Sequence, residues 1–154
     1  MWKPVLTSVL AIGLAAGLTA CRGEEDDGGD ALTKQEFIEQ GDELCTQLND
    51  DIADAFAEFD EDTSYEETQA MTRDTIMPLF EEFIDDMRAL EAPAGDEELA
   101  ALLDDLEAGG ERAAEVVEMS EEDAAAAGDP FGEVDTAAQE YGFKVCGSDS
   151  NADA

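Results

Sequence analysis

The sequence contains no histidine, and only seven of its 154 residues are lysine or arginine. Without histidine there is no ordinary Ser-His or Cys-His pair to activate a nucleophile. A phosphate-binding loop is also missing, because Gly109-Gly110 lacks the accompanying lysine and spacing. The scarcity of positive charge argues against nucleic acid as a partner, since an acidic chain repels its phosphates. These absences predict a protein that is not an enzyme and has no catalytic residues.

The chain also lacks a run of roughly 20 apolar residues, the length that a membrane-spanning helix requires. The longest apolar segment is Val5–Leu18, which holds only two polar residues and follows Lys3. A charged region begins at Arg22 without a stop-transfer pattern. This arrangement predicts export, with residues 1–20 forming a cleaved signal peptide.

The end of the apolar segment, Leu18-Thr19-Ala20-Cys21, resembles the bacterial lipobox, in which the cysteine thiol receives a diacylglyceryl group before cleavage. The resemblance implies that Cys21 is a lipid anchor and that membrane lipid is its partner. Two acyl chains are enough for stable attachment, at about 0.8 kcal/mol per buried CH₂ group. The expected location is the extracytoplasmic face of the cell membrane, with an uncleaved anchor or simple secretion as alternatives.

Composition divides the remainder of the chain into three parts. Residues 21–31 hold acids and glycines without an apolar period, which predicts a flexible tether; a metal-binding tail is the alternative. Residues 32–148 are expected to form one helical domain, and residues 149–154 a disordered tail. Loss of residues 1–20 would change the net charge from −35 to −36, because that segment contains one lysine and no acid.

Apolar residues recur every three or four positions, and no segment alternates with a period of two, so helices are predicted and a sheet is not. Capping boxes begin at Thr33 and Ser64. The first helix is expected to end near Phe59, and Pro78 is expected to kink the second. The predicted inward residues of these two helices are Phe37, Gly41, Leu44, Cys45, Leu48, Ile52, Phe56, Phe59, Met71, Thr75, Ile76, Leu79, Phe80, Phe83, Met87 and Leu90.

A third helix is predicted after Asp96, because acids favour a helix N-terminus. Gly109-Gly110 interrupts it and is compatible with a bend, a close helix contact or a break. Asp129-Pro130 predicts the start of a last helix and Gly142 its end, after which Phe143 and Val145 pack back on the domain. The inward residues are Leu99, Leu102, Leu103, Leu106, Ala113, Val116, Val117, Phe131, Val134, Ala138 and Tyr141. The expected architecture is all-α, an up-and-down bundle of about four helices.

With Cys21 assigned to lipid, the remaining cysteines are Cys45 and Cys146. Export to an oxidising setting predicts that these two form a disulfide that staples the bundle. A redox-active pair is the alternative, but the cysteines are 101 positions apart and lack the CxxC spacing that tunes thiol reactivity. Met71, Met77 and Met87, which lie among phenylalanines, are interpreted as core residues rather than as a heme or copper site. No cofactor is therefore predicted.

Two segments carry a family resemblance. They are Leu32–Ile38 (LTKQEFI) leading to Asp42–Cys45 (DELC), and Tyr141–Ser148 (YGFKVCGS). The chain resembles here a group of small exported actinobacterial proteins, many of them lipoproteins of unknown function. The likeness covers about residues 32–48 and 129–148. It implies a helical fold, a paired first and last cysteine and an envelope location, and it brings no established activity. This chain departs from the group in being far more acidic.

The 42 acidic residues have three interpretations. Like-charged pairs such as Glu39/Glu43 repel at i,i+4 spacing and salt screens them, so the acids could be an adaptation to a saline exterior. Carboxylates also suit divalent cations. However, the calcium-loop-like stretch that begins at Asp60 has Tyr65 at the required glycine position and Met71 at that of the bidentate glutamate. A specific metal site is not predicted. The third interpretation is a surface for a basic partner.

Together these features predict a membrane-anchored, acidic extracytoplasmic lipoprotein that is a non-enzymatic binding or structural component of the envelope. Its expected partners are membrane lipid through Cys21 and a basic envelope protein or cations. The alternative is a protein that binds or buffers divalent cations at low affinity.

Overall fold

The structure is a computed structural model that describes residues 31–57, 59–60 and 62–148. Every regular element within these residues is helical, which confirms the predicted all-α fold. The predicted signal peptide, the lipid anchor Cys21, the tether as far as residue 30 and the tail at residues 149–154 lie outside the described residues.

Four helical units form the domain. The helices are α1 (Lys34–Phe56), α2 (Tyr65–Met71), α3 (Met77–Ala89), α4 (Glu97–Val117), α5 (Glu121–Ala127) and α6 (Gly132–Tyr141). A π-helical segment, Thr72–Ile76, joins α2 to α3, so that these two form one bent unit. Along the chain, α1 packs on α3, α3 on α4 and α4 on α6, while α5 is a short addition after α4.

Local sequence signals set most of the helix ends. Both predicted capping boxes are present, because Thr33 and Ser64 each exchange hydrogen bonds with the glutamate three residues later. The Asp96 carboxylate caps α4 by accepting from the backbone N–H of Leu99 at 3.0 Å. However, α1 ends at Phe56 rather than near Phe59. The reason is a tighter turn, in which the N–H of Phe59 donates to the carbonyl of Phe56.

The bend predicted at Pro78 takes the form of the π-helical segment directly before it. Proline has no N–H to donate to the preceding turn. The chain widens there instead, and the N–H of Met77 donates to the carbonyl of Thr72, five residues earlier. The extra residue per turn changes which side chains face inward. Thr75, predicted to be inward, is therefore exposed.

Gly109 and Gly110 mark a close contact between helices rather than a bend or a break, since α4 runs through both without interruption. A Cβ atom on Gly109 would lie 2.7 Å from a ring carbon of Phe131. One on Gly110 would lie 3.2 Å from Cδ1 of Ile84. The two glycines thus let α3 and the segment before α6 approach the backbone of α4.

The last helix begins at Gly132, so the prediction that Asp129-Pro130 would start it was wrong. The Asp129 carboxylate accepts from the N–H of Phe131 at 2.8 Å, which forms a turn before the helix. The Phe131 ring then packs against Phe80, with ring centroids 4.5 Å apart. Gly142 ends α6 with a positive φ of 122°, as predicted. Phe143 is buried after it, and Val145 packs against the core.

The core draws on all four units. The buried apolar residues are Phe37, Cys45, Leu48, Phe83, Met87, Leu99, Leu102, Leu103, Leu106, Val134, Ala138, Tyr141, Phe143 and Cys146. Among the described residues no charged side chain is buried. The carboxylates therefore lie at or near the surface, and the side chains of the core are apolar.

Candidate functional site

Residues 143–148, here called the C-terminal clasp, return from the end of α6 to the middle of α1. Cys146 of the clasp forms a disulfide with Cys45 of α1, and their Cα atoms are 5.3 Å apart. This confirms the predicted pairing. Both half-cystines are buried, so the bond lies against the core rather than on the surface.

The carboxylate of Asp42 fixes the clasp beside the disulfide. Its Oδ1 accepts from the backbone N–H groups of Lys144, Val145 and Cys146 at 3.1, 2.9 and 3.2 Å. Its Oδ2 is 3.1 Å from the same Lys144 nitrogen. A charged acceptor thus satisfies three successive backbone donors, which would otherwise be costly to remove from water.

Close backbone approach completes the clasp. A Cβ on Gly41 would lie 2.6 Å from the Phe143 ring, so α1 needs glycine there. On the other side, Gln139 of α6 donates to the carbonyl of Gly147. Gly147 itself has φ +73°, and a Cβ there would lie 2.8 Å from the Cα of Asp135. The clasp is therefore wedged between α1 and α6, and it brings together the two segments that carry the family resemblance.

The sequence predicts the disulfide at this place but does not indicate the role of Asp42. The available signal was its position, three residues before Cys45 and so on nearly the same face of α1. What the sequence did not show is which backbone the carboxylate meets, because its partners are about a hundred positions away.

A cavity of about 400 Å³ lies beneath the clasp. Side chains of α1, α3, α4 and α6 form its walls, and most of them are apolar or aromatic. Both half-cystines and Gly147 of the clasp also border it. Its walls include Leu48, Phe80, Phe83, Leu106, Phe131 and Phe143.

Polar groups line only part of this cavity. They come from Asn49, Asp129, Asp135 and Ser148. Asp129 and Ser148 are exposed, so the cavity reaches the surface on this side. A mostly apolar hollow with a few polar groups at its opening is the usual form of a small-molecule site.

A polar cluster connects the starts of α1 and α4 with the end of α6. The Tyr141 hydroxyl donates to Oδ2 of Asp96 at 2.7 Å, and Nζ of Lys34 lies 3.7 Å from the centre of the Tyr141 ring. Burial and the adjacent Asp96 carboxylate raise the pKa of Tyr141 above its ordinary value. The N–H of Leu99, and then the Tyr141 hydroxyl, hold the pKa of Asp96 below its ordinary value. Because Asp96 is the cap of α4, the cluster is interpreted as structural.

The few basic side chains serve to join helices on the acidic surface. Of the five in the described residues, four make contacts that involve α4 or the residue after it. These contacts are Lys34–Glu98 at 3.5 Å, Arg73–Glu118 at 2.6 Å, Arg88–Asp104 at 3.2 Å, Arg88–Glu107 at 2.6 Å, and Arg112 to the carbonyl of Pro130 at 3.0 Å. Each exposed pair contributes little, typically less than about 1 kcal/mol. Most carboxylates of the described residues therefore have no cation to offset their mutual repulsion.

No group of three or more acidic or cysteine side chains within the described residues is arranged to hold a metal ion. The stretch after Asp60 is a turn between α1 and α2, and the Asp60 carboxylate accepts from the N–H of Asp62 at 3.0 Å. The low-affinity cation hypothesis does not need such a group, and it stays a prediction.

We expect sodium chloride to raise the melting temperature of this protein. Repulsion among the surface carboxylates opposes the compact state, and at about 1 M salt the screening length falls to about 3 Å. The measurement is a thermal melt by circular dichroism at increasing sodium chloride, then in calcium or magnesium chloride at matched ionic strength. A saturable rise with sub-millimolar divalent ion would contradict pure screening, because ligand linkage would then require a specific site.

Lowering the pH should first raise and then lower the melting temperature at low salt. Partial protonation of surface carboxylates relieves repulsion as the pH falls toward about 5. Hydrogen bonds from Thr33 and Ser64 hold the pKa values of Glu36 and Glu67 below their ordinary value, as Leu99 does for Asp96. A carboxyl group whose pKa is lower in the folded than in the unfolded protein stabilises the fold at pH values above its unfolded pKa. This stabilisation is lost as the pH falls through the folded pKa.

The expected loss of stability at acid pH can be checked with Glu67→Gln. This substitution removes one carboxyl group with a lowered pKa but leaves a side chain that still reaches the helix cap. Its melting temperature should fall less than that of the unaltered protein between about pH 5 and pH 2. A melting temperature that is highest at neutral pH and low salt would show that repulsion is not the dominant surface effect.

Fold and site together define the class of protein: a disulfide-linked, all-α domain with a mostly apolar cavity that opens to the surface. Comparisons with protein families, curated proteins and solved structures gave no match to the chain. Within the part of the chain that the structure describes, no helix is long and apolar enough to cross a membrane. What the protein does is therefore inferred from the clasp, the cavity and the surface.

Proposed function

We propose that this chain is a lipid-anchored, non-enzymatic binding protein on the extracytoplasmic face of the cell membrane, and that the cavity beneath the clasp holds its ligand. The cavity carries the proposal. Its volume of about 400 Å³ lies within the roughly 300–1,000 Å³ typical of small-molecule sites. The hollow is walled mostly by apolar side chains and opens to the surface, which suits entry and burial of a small ligand.

The ligand that fits is a small, predominantly apolar molecule. Burial against the aromatic and aliphatic walls contributes about 25 cal/mol per Å² of apolar surface removed from water. Anions are disfavoured, because the chain carries a net charge of −35 and carboxylates of Asp129 and Asp135 stand near the opening.

Two further features support the exported, anchored location. The segment Leu18-Thr19-Ala20-Cys21 has the lipobox form. The Cys45–Cys146 disulfide is of the kind that persists in oxidising compartments. Metabolic labelling of cells with a clickable fatty acid should mark the protein, and Cys21→Ala should abolish the label. Labelling that survives this substitution would refute the anchor without touching the cavity proposal.

The cavity is tested by titration with Nile red, a neutral apolar dye whose fluorescence rises in apolar surroundings. The protein beginning at Arg22 keeps all described residues, and we expect saturable binding at one site. Asn49→Phe adds an aromatic ring to the lining of the cavity and should weaken dye binding by about tenfold, which is about 1.4 kcal/mol.

Thr46→Phe is the matched control, because Thr46 is an exposed residue of the same helix that does not line the cavity. Its affinity for the dye should equal that of the unaltered protein. Absent binding, or equal weakening by both substitutions, would refute the cavity as a binding site. Thermal melts of both variants show whether a loss of affinity reflects unfolding.

A further inference from the structure

A groove of about 380 Å³ runs between α3 and α4. Its floor is apolar and consists of Met77, Phe80 and Ile84 from α3 with Gly110 and Ala114 from α4. Ala114 is exposed and the three α3 side chains are only partly buried. The domain thus leaves apolar surface in contact with water at this place.

Carboxylates flank the floor on both sides. Glu81 and Asp85 come from α3, Glu107 and Glu111 come from α4, and all four side chains are exposed. Glu107 accepts from Arg88 at 2.6 Å. No hydrogen bond or ion pair within the described residues joins Glu81, Asp85 or Glu111 to another side chain. Both rows have i,i+4 spacing and repel internally, so a cation placed between them relieves repulsion.

The groove also has the length of a helical contact. Met77, Phe80 and Ile84 stand at positions i, i+3 and i+7, and the α4 side likewise runs from position i to i+7, from Glu107 to Ala114. At 1.5 Å per residue, the floor is about 10 Å long, or two helical turns. An amphipathic helix presents anchors at this repeat, and the usual partner of an apolar groove between helices is such a segment.

We propose that this α3–α4 groove is a docking site for a basic amphipathic helix of a partner protein. The apolar face of that helix covers the floor, and its lysine or arginine side chains contact the flanking carboxylates. An acidic surface alone would attract any cation. An apolar floor between acidic walls instead favours a partner segment that carries both an apolar face and basic side chains. The inference does not depend on a ligand in the cavity beneath the clasp.

The test uses two synthetic peptides of about 14 residues, four helical turns, with the same leucine and lysine content. One places leucine on a single helical face, and the other has a scrambled order. Binding to the protein beginning at Arg22, which retains the entire core and the disulfide, is measured by fluorescence anisotropy near 0.15 M salt. We expect the amphipathic peptide to bind about tenfold more tightly than the scrambled one.

Two pairs of variants locate the site. Ala114→Gln places a polar side chain on the exposed floor and should lower the affinity for the amphipathic peptide by about tenfold. Ala101→Gln changes an exposed alanine of the same helix outside the groove and should leave this affinity unchanged. Glu81→Gln with Asp85→Asn should weaken binding more than Glu39→Gln with Glu43→Gln, which removes the same charge from α1.

Equal affinity of the two peptides, or equal effects within either pair of variants, would overturn the proposal. The acids would then attract cations without a docking site. Phe80 is left unaltered throughout, because it lines both the groove and the cavity. Failure of the groove proposal is thereby separated from failure of the cavity proposal, since neither Ala114 nor Ala101 lines the cavity and Nile red binding there should be unaffected by these substitutions.

Discussion

Removal of the disulfide by Cys45→Ser with Cys146→Ser should lower the free energy of unfolding by as much as about 4.7 kcal/mol, the value that loop entropy gives for a loop of about a hundred residues. The two cysteines are separated by 101 positions, so the bond restricts nearly the whole unfolded domain. Urea unfolding of the oxidised protein and of the double variant measures the difference. The denaturant slope should also rise, since the unfolded chain becomes more expanded.

Reduction of the unaltered protein with dithiothreitol is the control for this prediction. It should reproduce the stability of the double variant, and it should leave the double variant itself unchanged. Nile red affinity should fall in parallel, because both half-cystines border the cavity. A loss of less than about 1 kcal/mol would show that the clasp stays in place without the bond, and that its other contacts suffice.

Asp42→Ala should lower the free energy of unfolding by about 3 kcal/mol, which is the second largest effect expected. The substitution leaves the N–H groups of Lys144, Val145 and Cys146 without their acceptor. Hydrogen bonds to charged groups contribute about 1.5–3 kcal/mol each, but the exposed edge of the clasp lets water replace part of this. The stability of Asp42→Asn should lie between those of the unaltered protein and Asp42→Ala, since the amide retains one acceptor oxygen and loses the charge. Urea unfolding again provides the measurement.

Glu43→Ala is the matched control, because Glu43 is an exposed neighbour whose side chain makes no hydrogen bond or ion pair with the described residues, and it should change stability by less than about 0.5 kcal/mol. In the double-serine background, the cost of Asp42→Ala should be smaller than in the oxidised protein. The carboxylate and the disulfide restrain the same segment, so their effects are coupled rather than additive. Equal costs for Asp42→Ala and Glu43→Ala would show that the clasp does not depend on the carboxylate.

The helix starts at Thr33 and Ser64 could be predicted because capping boxes are short-range: donor and acceptor lie within four residues. The same holds for Gly142, whose positive φ ends α6 locally. The inward faces of α1 and α4 followed from spacing alone, since burying one apolar stripe per helix is the way such a sequence removes its apolar surface from water.

Prediction was less accurate where distant residues decide the conformation. The start of α6 moved to Gly132 because the Phe131 ring packs on Phe80 and meets the backbone of α4 at Gly109. Thr75 faces outward because Pro78 is accommodated by a π-helical turn, one of several ways in which a helix can respond to proline.

The sequence by itself determined the helical class and the caps of α1, α2 and α4, because these depend on local periodicity and on neighbouring residues. It also indicated the pairing of Cys45 with Cys146, because only these two cysteines remain once Cys21 is assigned to lipid. It also determined the uneven charge, with 42 acids against seven basic residues. Only the tertiary structure decided that Asp42 would hold the clasp, that a cavity would form beneath it, and that the α3–α4 groove would have an apolar floor. Each of these arises where residues far apart in the chain meet, and periodicity carries no information on how two faces fit.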